Sequence, residues 1–385
     1  MAIFSLPQQY KQQSTYWIPP LAAGAAAWTA FMVIGQTPLI RASGLALVIV
    51  GMALALRPFG AVFAVIGAIA LAFSPAFWAQ TGGVELLNPP EVIAALIAAL
   101  IGAAALLIWR RKALWGIGIG VLIFGALFLL FVGTPRSLRL TTLLSAWLLY
   151  LMIDGLLAAN PRPDSPPTGQ LGPQHTWGIL IIVTLGVLND PLFAMMCPAI
   201  ILGLFLTSKR MPLIYWILLA GITLWGLRGI VTLYADSAWW GMNVNLAETN
   251  GIQVPFLISA GWREPSRWVY LIELLVYQFM AVGLALAVIG LARLSRWYPP
   301  VGVVTMIAYA TYALFGLAYF GADASVLLMP MLMIQVVWMT YAVYALNQWI
   351  MRSSLSRAPL LRWLVPAAFI LLPLALLTRI PGVLP

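Results

Sequence analysis

The sequence predicts an all-α fold, a polytopic helical membrane protein with about 11–13 membrane helices, including a broken pair near residues 176–207. Three observations carry that expectation. Hydrophobic residues make up 63% of the 385 positions and charged residues only 8%, whereas a soluble protein carries roughly 25% charged residues. The apolar residues fall in runs of about 20, the length an α-helix needs to cross the hydrocarbon core, and the mean hydropathy is +0.99. The alternating apolar and polar strands of a membrane barrel are absent.

Taken in order, spans are expected near 18–34, 42–56, 59–78, 92–109, 113–132, 138–157, 212–234, 268–291, 299–319, 324–347 and 359–380, forming one domain over 1–385. The polar N-terminus has no signal-peptide pattern. The second span is short because Pro58, after Arg57, cannot continue the helix. The Pro-rich stretch from Asn160 to His175 reads as a flexible cytoplasmic loop, 160–175. The largest outer loop is 235–267, with Asp236, Trp239, Trp240, Glu248, Trp262, Arg263 and Glu264. Its carboxylates and exposed rings suit either a carbohydrate or an ordinary interfacial loop.

Charge placement sets the expected orientation. With the N-terminus cytoplasmic, 13 of the 20 basic residues fall on the cytoplasmic side, among them Lys11, Arg57, Arg110, Arg111, Lys112, Arg293, Arg296 and Arg352. Six fall outside: Arg41, Arg136, Arg139, Arg263, Arg267 and Arg379. This is the positive-inside pattern, and it accounts for the net charge of +10 without a nucleic-acid partner. The expected location is a plasma or inner membrane, with membrane lipids as partners.

The segment 176–207 needs a different reading. Its flanking cations, Arg162 and Lys209-Arg210, both favour the cytoplasm, so a single span would separate them. Asn189-Asp190-Pro191 resolves this, because Asn and Asp cap helices and Pro suits a first turn. Two short helices are expected to meet there, with Asp190 in or near the outer half of the bilayer.

The candidate site residues are few. Glu85 is the first carboxylate in the chain, after 84 residues with none. It follows the run LAFSPAFWAQTGG, and it reads as a catalytic or substrate-ordering acid or as a solvated loop acid. Arg228 falls inside a span, where an arginine is costly; it reads as a phosphate ligand, an ion-pair partner of Asp236, or a snorkelling side chain. Asp323 reads as a site acid or as a helix N-cap. The single histidine, His175, falls in the loop, so bis-His cofactor ligation is excluded. Cys197, the only cysteine, permits no disulfide within the chain. No phosphate-loop motif is present, and Glu273 and Asp154 stand alone rather than as a proton relay.

These residues are similar to those of the GT-C superfamily of membrane glycosyltransferases, and to its protein-O-mannosyltransferase-like branch. Four stretches carry the resemblance. Pro19-Pro20 and the later Arg41 fit a Pro-Pro span followed by an Arg-bearing turn. FSPAFW…Glu85 resembles that family's FSPTFW…EVY segment. LWGLRGIVTLYADSAWWG resembles its late span ending in an Arg and a Trp-Gly loop. FGADASVLLMP resembles its Asp-then-Pro span. The departures are specific. The chain looks N-terminally shortened, lacking the first outer loop with the family's catalytic acid. Ile18 stands where the family has His, and Asn189-Asp190 where it often has His-His.

The resemblance implies transfer of a sugar from a polyprenyl-phosphate donor at the outer face. Glu85, and in second place Asp323, would be the catalytic acids; Arg41, Arg228, Asp236 and Trp240 would bind substrate or lipid phosphate. Such chemistry needs a base for the acceptor hydroxyl and often a divalent metal on the phosphate; a divalent metal is thus the one cofactor the resemblance allows, with no ligand residues assigned. The alternative is a non-catalytic relative, a scaffold or accessory subunit of a larger membrane complex.

Overall fold

The computed structural model describes residues 8–82, 138–159, 173–207, 211–235, 256–257, 261–321, 324–352 and 363–380. The spans expected near 92–109 and 113–132 lie outside the described residues, as do Glu85, Asp236, Trp240 and Asp323. The described chain is all-α. Its helices are α1 Gln8–Val33, α2 Leu39–Leu56, α3 Ala61–Ala72, α4 Pro75–Trp78, α5 Leu138–Ala159, α6 Pro173–Asn189, α7 Cys197–Phe205, α8 Leu213–Ala235, α9 Pro265–Trp297, α10 Pro299–Ala318, α11 Ala324–Leu327, α12 Met329–Arg352 and α13 Leu364–Leu377. A two-residue antiparallel ladder pairs β1, Phe256–Leu257, with β2, Tyr319–Phe320. Among the described residues six helices, α2, α5, α8, α9, α10 and α12, are long and apolar enough to cross a membrane.

Packing ranks these helices. The membrane-length window of α12 is 83% buried and that of α8 only 17%, so α12 is the interior element and α8 a peripheral one. α12 packs on α9 and α3, while α2 packs on α1, α3 and α5. Gly290 sets the α9–α12 crossing. A Cβ there would fall inside the backbone carbonyl of Trp338. Small residues allow such close approach where lipid supplies no hydrophobic drive between helices.

The contacts define two ends of the bundle. At one, which we call the Arg57 end, the Arg57 guanidinium stacks 3.7 Å from the Tyr16 ring and Phe59 meets Tyr341 at 5.2 Å. At the other, the Arg41 end, α2 and α5 begin. The 18 residues of α2 separate the two by about 27 Å at 1.5 Å per residue.

The chain breaks where Asn189-Asp190-Pro191 occurs. α6 ends at Asn189, a tight turn runs from Pro191 to Met196, and α7 starts at Cys197. Asp190 is buried, and its Oδ1 accepts the Leu192 amide at 3.1 Å. Asn189 Nδ2 donates to Thr141 Oγ1 on α5 at 2.9 Å. The turn's own polar groups are thus met by side chains, as an interruption in apolar surroundings requires.

Four expectations need correction. The loop placed at 160–175 gives its last residues to α6, which starts at Pro173 because proline suits a first helical position. His175 is therefore buried in a helix, where its Nε2 lies 2.8 Å from Asp154 Oδ2. The loop 235–267 likewise ends early: α9 starts at Pro265 and buries Arg267. Arg267 donates to the carbonyls of Leu317, Gly316 and Tyr319 at the end of α10, and Phe320 lies over its guanidinium at 3.8 Å. The span expected over 59–78 is interrupted at Ser74-Pro75, where α4 restarts. Finally, the run 268–291 is no uniform helix. Phe279 (φ −130°) and Met280 (φ 61°, ψ 170°) leave helical geometry inside α9. The last two irregularities face each other, and Gln278 Oε1 accepts the Ala76 amide at 2.7 Å.

Replacing Asp190 with alanine removes the cap and is expected to cost about 0.5–2 kcal/mol, with serine retaining most of it. Thermal unfolding of the purified protein in detergent checks the order wild type, Ser, Ala. Gly290→Ala forces α9 and α12 apart and is expected to cost about 1–3 kcal/mol, as overpacking does. An unchanged transition temperature for that variant would contradict the close crossing.

Candidate functional site

One polar construction at the Arg41 end is built from three elements. α2 starts after Pro38 with no side chain capping it, and Arg41 is its third residue. α5 starts at Leu138, and Arg139 is its second residue. Between them lies the turn after α4, Ala79 to Gly82. Arg41 Nη1 donates to the Gly82 carbonyl at 2.6 Å. Arg139 Nε donates to the Gln80 carbonyl at 3.0 Å, and its Nη2 approaches the Gly82 carbonyl at 3.4 Å. Two guanidiniums thus converge on one turn.

The electrostatics of that corner follow from the helix ends. A helix N-terminus carries roughly half a positive charge, so a cation in the first turn opposes its own macrodipole. α2 and α5 both begin here, and both place an arginine in the first turn. Two helix ends and two guanidiniums therefore superpose positive potential over one turn. A helix N-terminus and a guanidinium each favour a nearby anion.

Buried polar groups sharpen the corner. The side chain of Gln80 is buried, and neither amide atom finds a partner among the described residues. The buried Thr37 Oγ1, in the turn between α1 and α2, is likewise unpartnered among them. Thr81 Oγ1 donates back to the Trp78 carbonyl at 2.7 Å. An amide left without a partner in an apolar interior costs about 1–3 kcal/mol. Two such groups beside two arginines mark a place suited to a polar ligand.

The other expected site residues distribute as follows. Arg41 stands at the corner, and Glu85 follows Gly82 by three residues in sequence. Arg228 does not join them. It is exposed on α8, 5.9 Å from the Trp225 ring, and α8 packs mainly on α6 and the Pro191 turn. Asn189, Asp190 and Pro191 form the break and pack on α5 and α8. Of the acids in described residues, Asp154 pairs with His175, Asp190 caps its turn, and Glu264 and Glu273 are exposed. Two contributors escaped the sequence. Arg139 heads the expected span 138–157, but nothing in the sequence shows that it reaches the turn after α4. Gln80 gives no signal at all, because only the fold buries it.

If Gln80 awaits a ligand, the unliganded protein is strained there. Gln80→Leu is expected to raise the thermal transition in detergent by the equivalent of about 1–3 kcal/mol, while weakening anion binding at the corner. A lower transition temperature would mean that the amide is satisfied in the resting protein.

No protein-family model, no curated protein and no solved structure matches this chain, so the chemistry of the corner stands on its own residues.

Proposed function

We propose that this chain is an integral membrane glycosyltransferase of GT-C-like type that takes a polyprenyl-phosphate-linked sugar at the Arg41 end. In this reading the N-terminus is cytoplasmic, the membrane is a plasma or inner membrane, and the Arg41 end faces outward. The acceptor hydroxyl attacks the anomeric carbon, its proton passes to Glu85, and the sugar–phosphate bond breaks to release polyprenyl phosphate. Arg41 and Arg139 bind the phosphate and stabilise the charge on the leaving oxygen.

One observation carries the reading: Arg41 and Arg139 meet on the turn that leads to Glu85. Glu85 follows that turn by three residues in sequence and takes the acceptor's proton in this reading. A bidentate guanidinium fork suits a phosphate, and a carboxylate suits the proton of a hydroxyl. Among the described residues no group of three or more His, Cys, Asp or Glu is fit to bind a metal. A second reading, a non-catalytic accessory subunit, is favoured by α8. That helix is apolar, mostly uncovered and carries the exposed Arg228, as a helix awaiting a partner would.

The test compares wild type, Arg41→Lys, Arg139→Lys and Glu85→Gln in proteoliposomes. Binding of polyprenyl phosphate over polyprenol is read by native mass spectrometry, and transfer by release of polyprenyl phosphate from a polyprenyl-phosphate hexose. Each lysine, which keeps charge but loses the fork, is expected to weaken phosphate binding about tenfold. Glu85→Gln is expected to bind normally and to lose transfer by about 10²–10⁴-fold. Equal binding of phosphate and alcohol by wild type would overturn the reading. Selective binding without transfer would leave the accessory reading.

A further inference from the structure

The Arg57 end holds a cavity that the proposed reaction does not use. It encloses about 480 Å³ between the last turns of α9 and α12, within the roughly 300–1,000 Å³ range of small-ligand sites. Arg293 and Arg296 reach it from α9 and Arg352 from α12; Tyr341 and Tyr344 form part of its wall, and among the described residues no carboxylate lines it. All three arginines are exposed, whereas Tyr341 is buried. The cavity thus has a cationic rim and an aromatic floor.

Helix dipoles explain part of this. Arg296 and Arg352 stand in the last turns of their helices, where a cation is favourable. They do not explain Arg293, a turn earlier, or the space that the three enclose. Two lining tryptophans, Trp297 and Trp349, are 59% and 61% exposed. Tryptophans at the end of a membrane helix settle at headgroup level, which puts the mouth of the cavity where lipid phosphates lie. Arginine forks bind phosphate in a bidentate way, and the tyrosine floor receives the apolar part of a bound molecule.

We propose that this cavity binds the headgroup of an anionic phospholipid from the leaflet at the Arg57 end, the leaflet that the basic residues assign to the cytoplasm. The site is about 27 Å of helix away from the Arg41 corner and independent of it, so lipid can occupy both at once. A lipid held between α9 and α12 ties together the two helices that cross at Gly290.

The full-length protein in detergent is titrated with phosphatidylglycerol, with phosphatidylcholine and with glycerol 3-phosphate, and occupancy is read by native mass spectrometry. Variants are Arg293→Gln, Arg352→Gln and the triple Arg293→Gln/Arg296→Gln/Arg352→Gln, with Arg263→Gln at the opposite end as control. Wild type and the control are expected to prefer phosphatidylglycerol to phosphatidylcholine, and each cavity arginine removed is expected to lower that preference about fivefold. Because the replaced side chains are exposed, the single variants are expected to keep the wild-type thermal transition, which separates lost binding from lost folding. Equal occupancy by the two lipids in wild type would overturn the proposal. So would a preference that survives in the triple variant, or displacement of phosphatidylglycerol by equimolar glycerol 3-phosphate, which would make the ligand a soluble phosphate.

Discussion

A backbone amide or carbonyl that leaves a helix inside an apolar bundle has no water to turn to, and this fold is arranged around supplying its partners. The recurring device is an arginine in the first turn of one helix reaching carbonyls where another segment ends. Arg267, at the start of α9, donates to Gly316, Leu317 and Tyr319 at the end of α10. Arg41 and Arg139, at the starts of α2 and α5, do the same for Gln80 and Gly82. For Arg267 the start of α9 lies beside the end of α10, so a cation misplaced on its own dipole is well placed on its neighbour's. Where no arginine serves, an amide or an acid does: Gln278 takes the Ala76 amide and Asp190 the Leu192 amide.

This device also explains why irregular backbone clusters. α3 stops at Ala72 and α4 restarts at Pro75 opposite the break in α9 at Phe279 and Met280. Either interruption alone would strand polar groups beside apolar side chains. Facing each other, they share Gln278, and Arg379 donates to the Tyr277 carbonyl at 3.2 Å beside the same break. A positive φ at a methionine costs on the order of 1–3 kcal/mol; the surrounding hydrogen bonds and the buried α12 hold it in place.

The two ends of the bundle use their arginines differently. At the Arg41 end Arg41 is buried and donates to a backbone carbonyl, so its position is set by the chain. At the Arg57 end Arg293, Arg296 and Arg352 are exposed around open space, so their fields act outward. Buried cations tied to backbone carbonyls are fixed in geometry. Exposed ones on long flexible stems act through net charge more than through registry.

Much of the fold was legible without coordinates. Length and apolarity of the runs decided the helical membrane class, since a lipid core forces backbone hydrogen bonds to close within each segment. Asn189-Asp190-Pro191 announced its break because capping and proline chemistry are local. The grouping of Arg57, Arg293, Arg296 and Arg352 at one end followed from counting spans. The tertiary structure alone decided the rest. Nothing in the sequence around Arg267 distinguishes it from a loop cation, because the carbonyls it serves lie some 50 residues away. The break in α9 depends on Ala76, 202 residues distant. The meeting of Arg41 and Arg139 required α2 and α5 to start beside one turn. Those features rest on partners far apart along the chain, and periodicity and local propensity carry no record of such partners.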